Sequence, residues 1–365
     1  MKPKLRFKGF SGAWDSCKLE DVLKIQSGKD YKHLSKGNIP VYGTGGYMLS
    51  VSDYLYDGES VCIGRKGTIN KPIFLNGKFW TVDTLFYTNS FVNVIPKFVF
   101  YVFQTINWLK YNEATGVPSL SKNTLYSIAV DLPNLAEQQK IADFLSLVDV
   151  KIEKLGTKIE LLKTYKKGMM QKIFSQKFRF KQDDGSDYPD WEEKKLGEVA
   201  DCWDNLRAPL NEKERNTLKG NIPYCGANGI LDYINKYQID DNIILLAEDG
   251  GHFNEYETKP IAYRMSGKCW VNNHAHILKA KQSYDQDLLF FLLEHKNILS
   301  FLSGGTRQKL NKSEMLKIPM NLPKDFSEQQ KIATLLSSLD QQIDLLTQQH
   351  TLLIQQKKSY LSALL

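Results

Sequence analysis

The chain has 365 residues, too many for one ordinary domain and enough for two, each able to bury a core. Its 42% hydrophobic and 24% charged residues are those of a soluble globular chain, and no apolar run reaches the ~18 residues of a membrane span. The net charge of +7 is uneven: residues 1–135 carry 16 cationic against 10 anionic side chains and residues 177–325 carry 21 against 23, so charge alone is a weak argument for an anionic partner.

The chain starts Met1-Lys2-Pro3-Lys4 and reaches Trp14 and Leu19 without an apolar signal core, so a cytoplasmic location is expected. Five scattered cysteines (Cys17, Cys62, Cys202, Cys225 and Cys269), with no C-x-x-C pair, indicate neither a disulfide framework nor a zinc knuckle. Residues 1–135 form a first globular domain. Short apolar runs bounded by glycine, such as Ser60-Val-Cys-Ile63, predict strands, and the aromatic segment Lys97 to Lys110 predicts a helix.

Residues 136–176 predict a long helix. Ile141, Leu145, Val148, Ile152, Leu155, Ile159, Leu162, Lys166, Met169 and Ile173 recur in steps of four and three, the seam of a coiled coil. An acidic stretch, Asp183, Asp184, Asp187, Asp190, Glu192 and Glu193, then reads as a solvated linker. Residues 177–325 form a second globular domain, with a strand at Asn242-Ile-Ile-Leu-Leu-Ala247 and a helix from Asp287 to Leu302. Residues 326–365 form a second long helix. Ser327 stands three residues before Gln330 as its expected N-cap and capping-box partner, with Ala136 at the matching place in the first helix.

The two halves are copies of one unit. Trp14-x-x-x-Lys18-Leu19 matches Trp191-x-x-x-Lys195-Leu196 at an offset of 177, Asn38-Ile-Pro40 with Gly43, Gly46 and Gly67 matches Asn221-Ile-Pro223 with Gly226, Gly229 and Gly250 at 183, and Gly77-Lys-Phe-Trp80 matches Gly267-Lys-Cys-Trp270 at 190. Glu137-Gln-Gln-Lys-Ile-Ala142 recurs unchanged as Glu328-Gln-Gln-Lys-Ile-Ala333, and the second seam (Ile332, Leu336, Leu339, Ile343, Leu346, His350, Leu353, Lys357, Tyr360, Leu364) keeps the register of the first. The fold class is mixed α/β or α+β: two similar domains, each followed by a helix of about 40 residues or about 60 Å. The two helices are expected to pair antiparallel, placing the domains at opposite ends of a rod. Lys166 and Lys357 interrupt both seams at one position, as polar residues fixing register or as lysines snorkelling to solvent.

Catalytic patterns are missing. There is no G-x-x-x-x-G-K-[ST] loop, no H-E-x-x-H helix, no G-x-S-x-G elbow, and no Asn-Pro-Pro-aromatic or Asp-Pro-Pro-aromatic tetrapeptide of an amino-methyltransferase. His274-Ala-His276 with Cys269 or His252 could approach a metal in the second copy. The first copy has Thr84 and Phe86 at those positions, so a shared structural metal is excluded and no metal site is assigned. Pro189-Asp190 and Glu193-Lys-Lys195 are too close together to converge on a metal as a nuclease site would.

Two units, each ending in a leucine-rich helix that opens with Glu-Gln-Gln-Lys-Ile-Ala, resemble the specificity subunit of type I restriction-modification systems, over almost the whole chain. The resemblance implies two target recognition domains, each reading one half of a split double-stranded DNA site. It implies paired helices that set the spacer and dock methyltransferase subunits, expected to be two, which recruit the restriction and translocase subunits. It also implies no catalysis and no cofactor in this chain, S-adenosylmethionine belonging to the partners.

Positions that match hold the fold, and differing positions in matched loops are the candidate base readers. The first such loop is Arg65, Lys66 and Thr68, opposite Glu248, Asp249 and His252: cations can donate to guanine or phosphate, and an acid can accept from cytosine N4. The second is Ser119 and Lys122, opposite Arg307, Gln308, Lys309 and Lys312. The glycine-rich loops add Thr44 and Asn228. Gln138, Gln139, Lys140, Gln329, Gln330 and Lys331 are expected to face the partner subunits. Two other readings are a self-contained DNA-modifying enzyme and a coiled-coil scaffold that never touches DNA.

Overall fold

The computed structural model describes residues 3–305 and 308–365, so Arg307 lies outside the described residues. Two compact units are present: residues 1–158 with 346–365, and residues 159–345. No helix is long and apolar enough to cross a membrane among the described residues.

In unit 1 the strands are β1 (Asp15–Lys18), β2 (Lys24–Ser27), β3 (Lys36–Gly43), β4 (Gly46–Val51), β5 (Tyr56–Asp57), β6 (Ser60–Gly64), β7 (Ile73–Leu75), β8 (Lys78–Thr81), β9 (Leu85–Asn89) and β10 (Ala129–Leu132). Helices α1 (Leu19–Val22), α2 (Pro96–Thr105), α3 (Lys122–Tyr126), the start of α4 (Leu135–Phe174) and the last helical residues of the chain, from 346, complete it. Two four-stranded sheets, β2-β9-β6-β7 and β4-β3-β8-β5, stand beside the pair β1-β10. All of β6 is buried, as a strand covered on both faces should be, which is why it reads as a continuous apolar run.

Unit 2 repeats this with β11 (Glu192–Lys195), β12 (Ala200–Cys202), β13 (Lys219–Gly226), β14 (Gly229–Ile234), β15 (Ile239–Asp240), β16 (Ile243–Ala247), β17 (Ala262–Met265), β18 (Lys268–Val271), β19 (Ala275–Ala280) and β20 (Pro319–Leu322). The sheet orders, β12-β19-β16-β17, β14-β13-β18-β15 and β11-β20, are those of unit 1 position for position. Its helices are the end of α4, α5 (Leu196–Val199), α6 (Glu212–Thr217), α7 (Gln286–Glu294), α8 (Lys312–Met315) and the start of α9 (Phe326–Leu364). Helix α6 lies in the longer β12–β13 connection, where the offset between copies grows from 177 to 183.

The aromatic helices end earlier than their sequence period suggests. α2 stops at Thr105 and gives way to a 3-10 turn at Trp108–Tyr111, and α7 stops at Glu294 before a turn at Leu299–Phe301.

Within each unit the long helices pack antiparallel. In unit 1 Ile141 and Leu145 of α4 share a core with Leu361 and Leu364 of α9, and in unit 2 Ile173 shares one with Ile332 and Leu336. Every seam residue named from the period of four and three is buried or half-buried. Neither seam lysine reaches out to solvent: Lys166 Nζ lies 2.6 Å from Asp340 and Lys357 Nζ 2.6 Å from Asp149, with the lysine side chains 13% and 17% exposed. The pairs are equivalent, each lysine meeting an acid on the facing helix.

The helix caps differ from expectation. Asp325 Oδ1 accepts from Ser327 N (2.8 Å) and Asn134 Oδ1 accepts from Glu137 N (3.0 Å), so the caps are Asp325 and Asn134. Ser327 is inside the helix and its hydroxyl meets Tyr188 Oη at 3.0 Å. The acidic linker is partly folded: Lys181 bridges Asp187, and Lys331 Nζ holds Asp183 at 2.7 Å, while Asp190 is fully exposed.

Candidate nucleic-acid interface

In each unit the strand β6 or β16 ends in a loop whose backbone is tied to two neighbours in the same way. In unit 1, Arg65 N donates to Thr84 O (2.7 Å) and Leu120 N donates to Arg65 O (2.8 Å). In unit 2, Glu248 N donates to His274 O (2.8 Å) and Leu310 N to Glu248 O (2.7 Å). Lys66 bridges Ser119 as Asp249 bridges Lys309. Gly67 (φ +95°) and Gly250 (φ +67°) adopt the left-handed turn that follows, a conformation glycine takes without strain. The glycine-rich hairpin tips join the same edge: a Cβ on Gly67 would lie 3.6 Å from Thr44 Oγ1, and Asn228 Nδ2 donates to Gly250 O at 2.8 Å. The structure thus brings Thr44, Arg65, Lys66, Ser119 and Lys122 to one edge of unit 1, with Thr68 next to them in the chain, and Asn228, Glu248, Asp249 and Lys309 to the matching edge of unit 2, with His252, Gln308 and Lys312 near them in the chain.

The side chains on these matched frames differ sharply. In unit 1 a cleft of about 750 Å³ is lined by Ser27, Arg65, Lys66, Phe86, Glu113, Ser119 and Lys122, among others. Among the described residues no carboxylate forms a salt bridge with Arg65, Lys66 or Lys122. Arg65 has only a long bond to Asp83 O (3.4 Å), and Lys122 Nζ stands 6.0 Å over the Phe86 ring. Glu113 is tied to Ser121 Oγ (2.7 Å) and to Thr124, whose hydrogen bonds hold its carboxyl below the usual range. This leaves Arg65 and Lys66 exposed and Lys122 and Ser119 half-buried at the cleft, the cations having no carboxylate partner among the described residues, a composition suited to phosphate and base edges.

Unit 2 corrects the expectation for Glu248. Its side chain is 10% exposed and paired with Arg207 and with Lys309 Nζ at 2.9 Å, so it is an internal counter-ion and not a free acceptor for a base. Burial alone would raise its pKa; the hydrogen bonds from Lys309 and Arg207, with the charges of His276 and Arg207, outweigh burial and hold it low. Arg207 also reaches Asp204 (3.2 Å), which holds His276 Nδ1 at 2.7 Å. Asp249 holds His274 Nδ1 at 2.7 Å. Sequence reading missed Arg207 and Asp204 because they stand in the connection that is longer in the second copy. The change of offset there is the one signal that marks it.

Cys202, Asp204 and His276 bring their ligand atoms within 4.8 Å of one another, a set that shares only His276 with the His274, His276, Cys269 and His252 considered from sequence. His276 already uses both ring nitrogens, Nδ1 with Asp204 and Nε2 with Leu310 O (2.8 Å), and burial pushes the Cys202 thiol up to about 11. The group is a hydrogen-bonded support for the β16 loop.

The repeated helix motif is also partly interior. Glu137 accepts two 2.7 Å bonds from Arg6, and Glu328 is gripped by Arg179 at 3.1 and 2.9 Å. Gln138 and Gln329 are each 1% exposed, and their amides bond Pro133 O with Ile95 N, and Pro323 O with Asp285 N. Both glutamines therefore brace the helix entrance, contrary to the expected outward role. Gln139, Lys140 and Gln330 are exposed, and Lys331 is half-exposed.

One scaffold built twice, with a constant backbone and different polar side chains on its loops, defines a two-module recognition protein. The chain belongs to the family described as type I restriction modification DNA specificity domain, whose model matches residues 12–163 and 188–355. It is 37% identical over 146 residues to a type I restriction enzyme specificity subunit of Haemophilus influenzae, a match covering 40% of this chain and 36% of that protein. It is 28% identical over 346 residues to the type I restriction enzyme MjaVIII specificity subunit of Methanocaldococcus jannaschii, covering 85% of this chain and 77% of that one. The crystal structure of a type I restriction-modification system S subunit from M. genitalium superposes with a TM-score of 0.74 at 16% identity, covering 100% of this chain and 99% of the other, which shows the shared fold.

Proposed function

We propose that the chain is the DNA specificity subunit of a type I restriction-modification complex, in which residues 1–135 and 177–325 each read one half of a bipartite, asymmetric duplex site. Residues 136–176 and 326–365 set the unread spacer and dock the methyltransferase subunits, two in number, through which restriction subunits join. Methyl transfer, with its S-adenosylmethionine, and DNA cleavage belong to those partners. The observation that carries this reading is the pair of matched loop edges: the backbone is constant, while Arg65 and Lys66 are replaced by Glu248 and Asp249.

In unit 1 the assigned readers are Thr44, Arg65, Lys66, Thr68, Ser119 and Lys122. In unit 2 they are Asn228, His252, Gln308, Lys309 and Lys312, with Arg307 beside them in sequence and Asp249 through its partner His274. Gln139, Lys140, Gln330 and Lys331 are the helix residues assigned to partner contact. Selection of duplexes from a random pool by the complex with its methyltransferase subunits should return two conserved clusters separated by a spacer of fixed length and random sequence. A single contiguous consensus, or none, would contradict the proposal.

A further inference from the structure

Both units carry an apolar feature beside the loops just assigned. In β4, Tyr47 is 62% and Met48 49% exposed; in β14, Ile230 is 44% and Leu231 61% exposed. Each pair directly follows the hairpin-tip glycine, Gly46 or Gly229. Strand alternation would turn one of two neighbours inward, and a register shift opposite the pair, between Val41 and Tyr42 or between Tyr224 and Cys225, accompanies the exposure of both.

The side chains are seated. A Cβ on Gly43 would lie 2.9 Å from Met48 Sδ, and one on Gly226 would lie 2.6 Å from Leu231 Cδ1, so in each copy the side chain five residues on lies across a bare glycine. The Tyr42 ring meets Tyr47 edge-on at 6.3 Å, and Tyr263 Oη donates to Gly226 O (2.7 Å) to brace the second tip. An apolar side chain already held in place loses little entropy when it is covered.

The tips are continuous with the polar loops through Thr44 and Gly67 in unit 1 and through Asn228 and Gly250 in unit 2. In unit 1 the two-residue apolar ledge stands beside cations that have no carboxylate partner among the described residues, and in unit 2 beside Lys309, which is paired with Glu248. An apolar surface beside cations matches a DNA groove, where base edges and deoxyribose carbons lie between rows of phosphates. We infer that Met48 with Tyr47, and Leu231 with Ile230, are nonpolar DNA contacts, one in each half-site. The inference rests on the reading-domain assignment.

The test uses the full chain in complex with its methyltransferase subunits and measures affinity for the selected duplex across a salt series. Met48→Ser and Leu231→Ser should each weaken binding about five- to tenfold at every salt concentration. The slope of log affinity against log salt should stay unchanged, because an apolar side chain releases no counterions, whereas Lys122→Gln should flatten it by about one unit. Gly43→Ala and Gly226→Ala keep the apolar side chain but push it off its seat, and should weaken binding in the same direction. The Met48→Ser effect should vanish on a duplex with the first half-site scrambled, and the Leu231→Ser effect on one with the second scrambled. Wild-type affinity in all four variants overturns the ledge alone, as does lost subunit assembly with DNA contact intact. A wild-type complex without sequence preference overturns the reading-domain assignment, and the ledge with it.

Discussion

Glu137 and Glu328 are 1% and 0% exposed in their side chains, and each depends on one arginine, Arg6 or Arg179, for its charge balance. Removing the arginine strands a buried carboxylate, so Arg6→Ala or Arg179→Ala should cost about 3–5 kcal/mol in urea-induced unfolding of the corresponding unit. A loss below about 1 kcal/mol would mean that water reaches the carboxylate. At Glu248 the folded pKa is below the ordinary value of 4.5, so its ionised form stabilises unit 2 above that value, and the contribution fades as the pH falls through the lower folded pKa. Glu248→Gln should therefore lower stability at neutral pH and make it less pH-dependent below about pH 4.5, as read by thermal melts across the acid range. The repeated Glu-Gln-Gln pattern was legible as important. The inward direction of its first two residues was not, because the partners of these residues are up to 149 positions away in sequence.

At the scale of elements, a period of four and three fixes which side of a long helix is covered, and both seams follow it without exception. The cap was harder to read. Ser327-x-x-Gln330 fits a capping box, but Asp325 is a charged acceptor at the positive end of the helix and takes that place. Asp325→Ala should lower the melting stability of unit 2 by about 1 kcal/mol. Ser327→Ala, which loses only the contact with Tyr188, should cost less; the reverse order would restore Ser327 as the cap. Strands were legible where they are buried on both faces, as in β6 and β16, whereas the Asp204–Arg207 support belongs to a connection whose form depends on His276 of β19 and on Glu248 in the loop after β16.

At the scale of the whole molecule, duplication separates what must stay constant from what is free to change. Sheet order, turn glycines, helix seams and the paired lysines are the same in both units, and the polar residues at the loop edges are not. On the proposed reading, exchanging one module would exchange one half of the recognition, because the helices do not change with it. The most direct measurement is to replace residues 177–325 with the equivalent segment of a relative and map the methylated bases across the host genome by single-molecule sequencing. One half of the methylated sequence should change while the other half and the spacer length stay as they were. Both halves changing together, or neither changing, would contradict a chain in which each unit reads its own half-site.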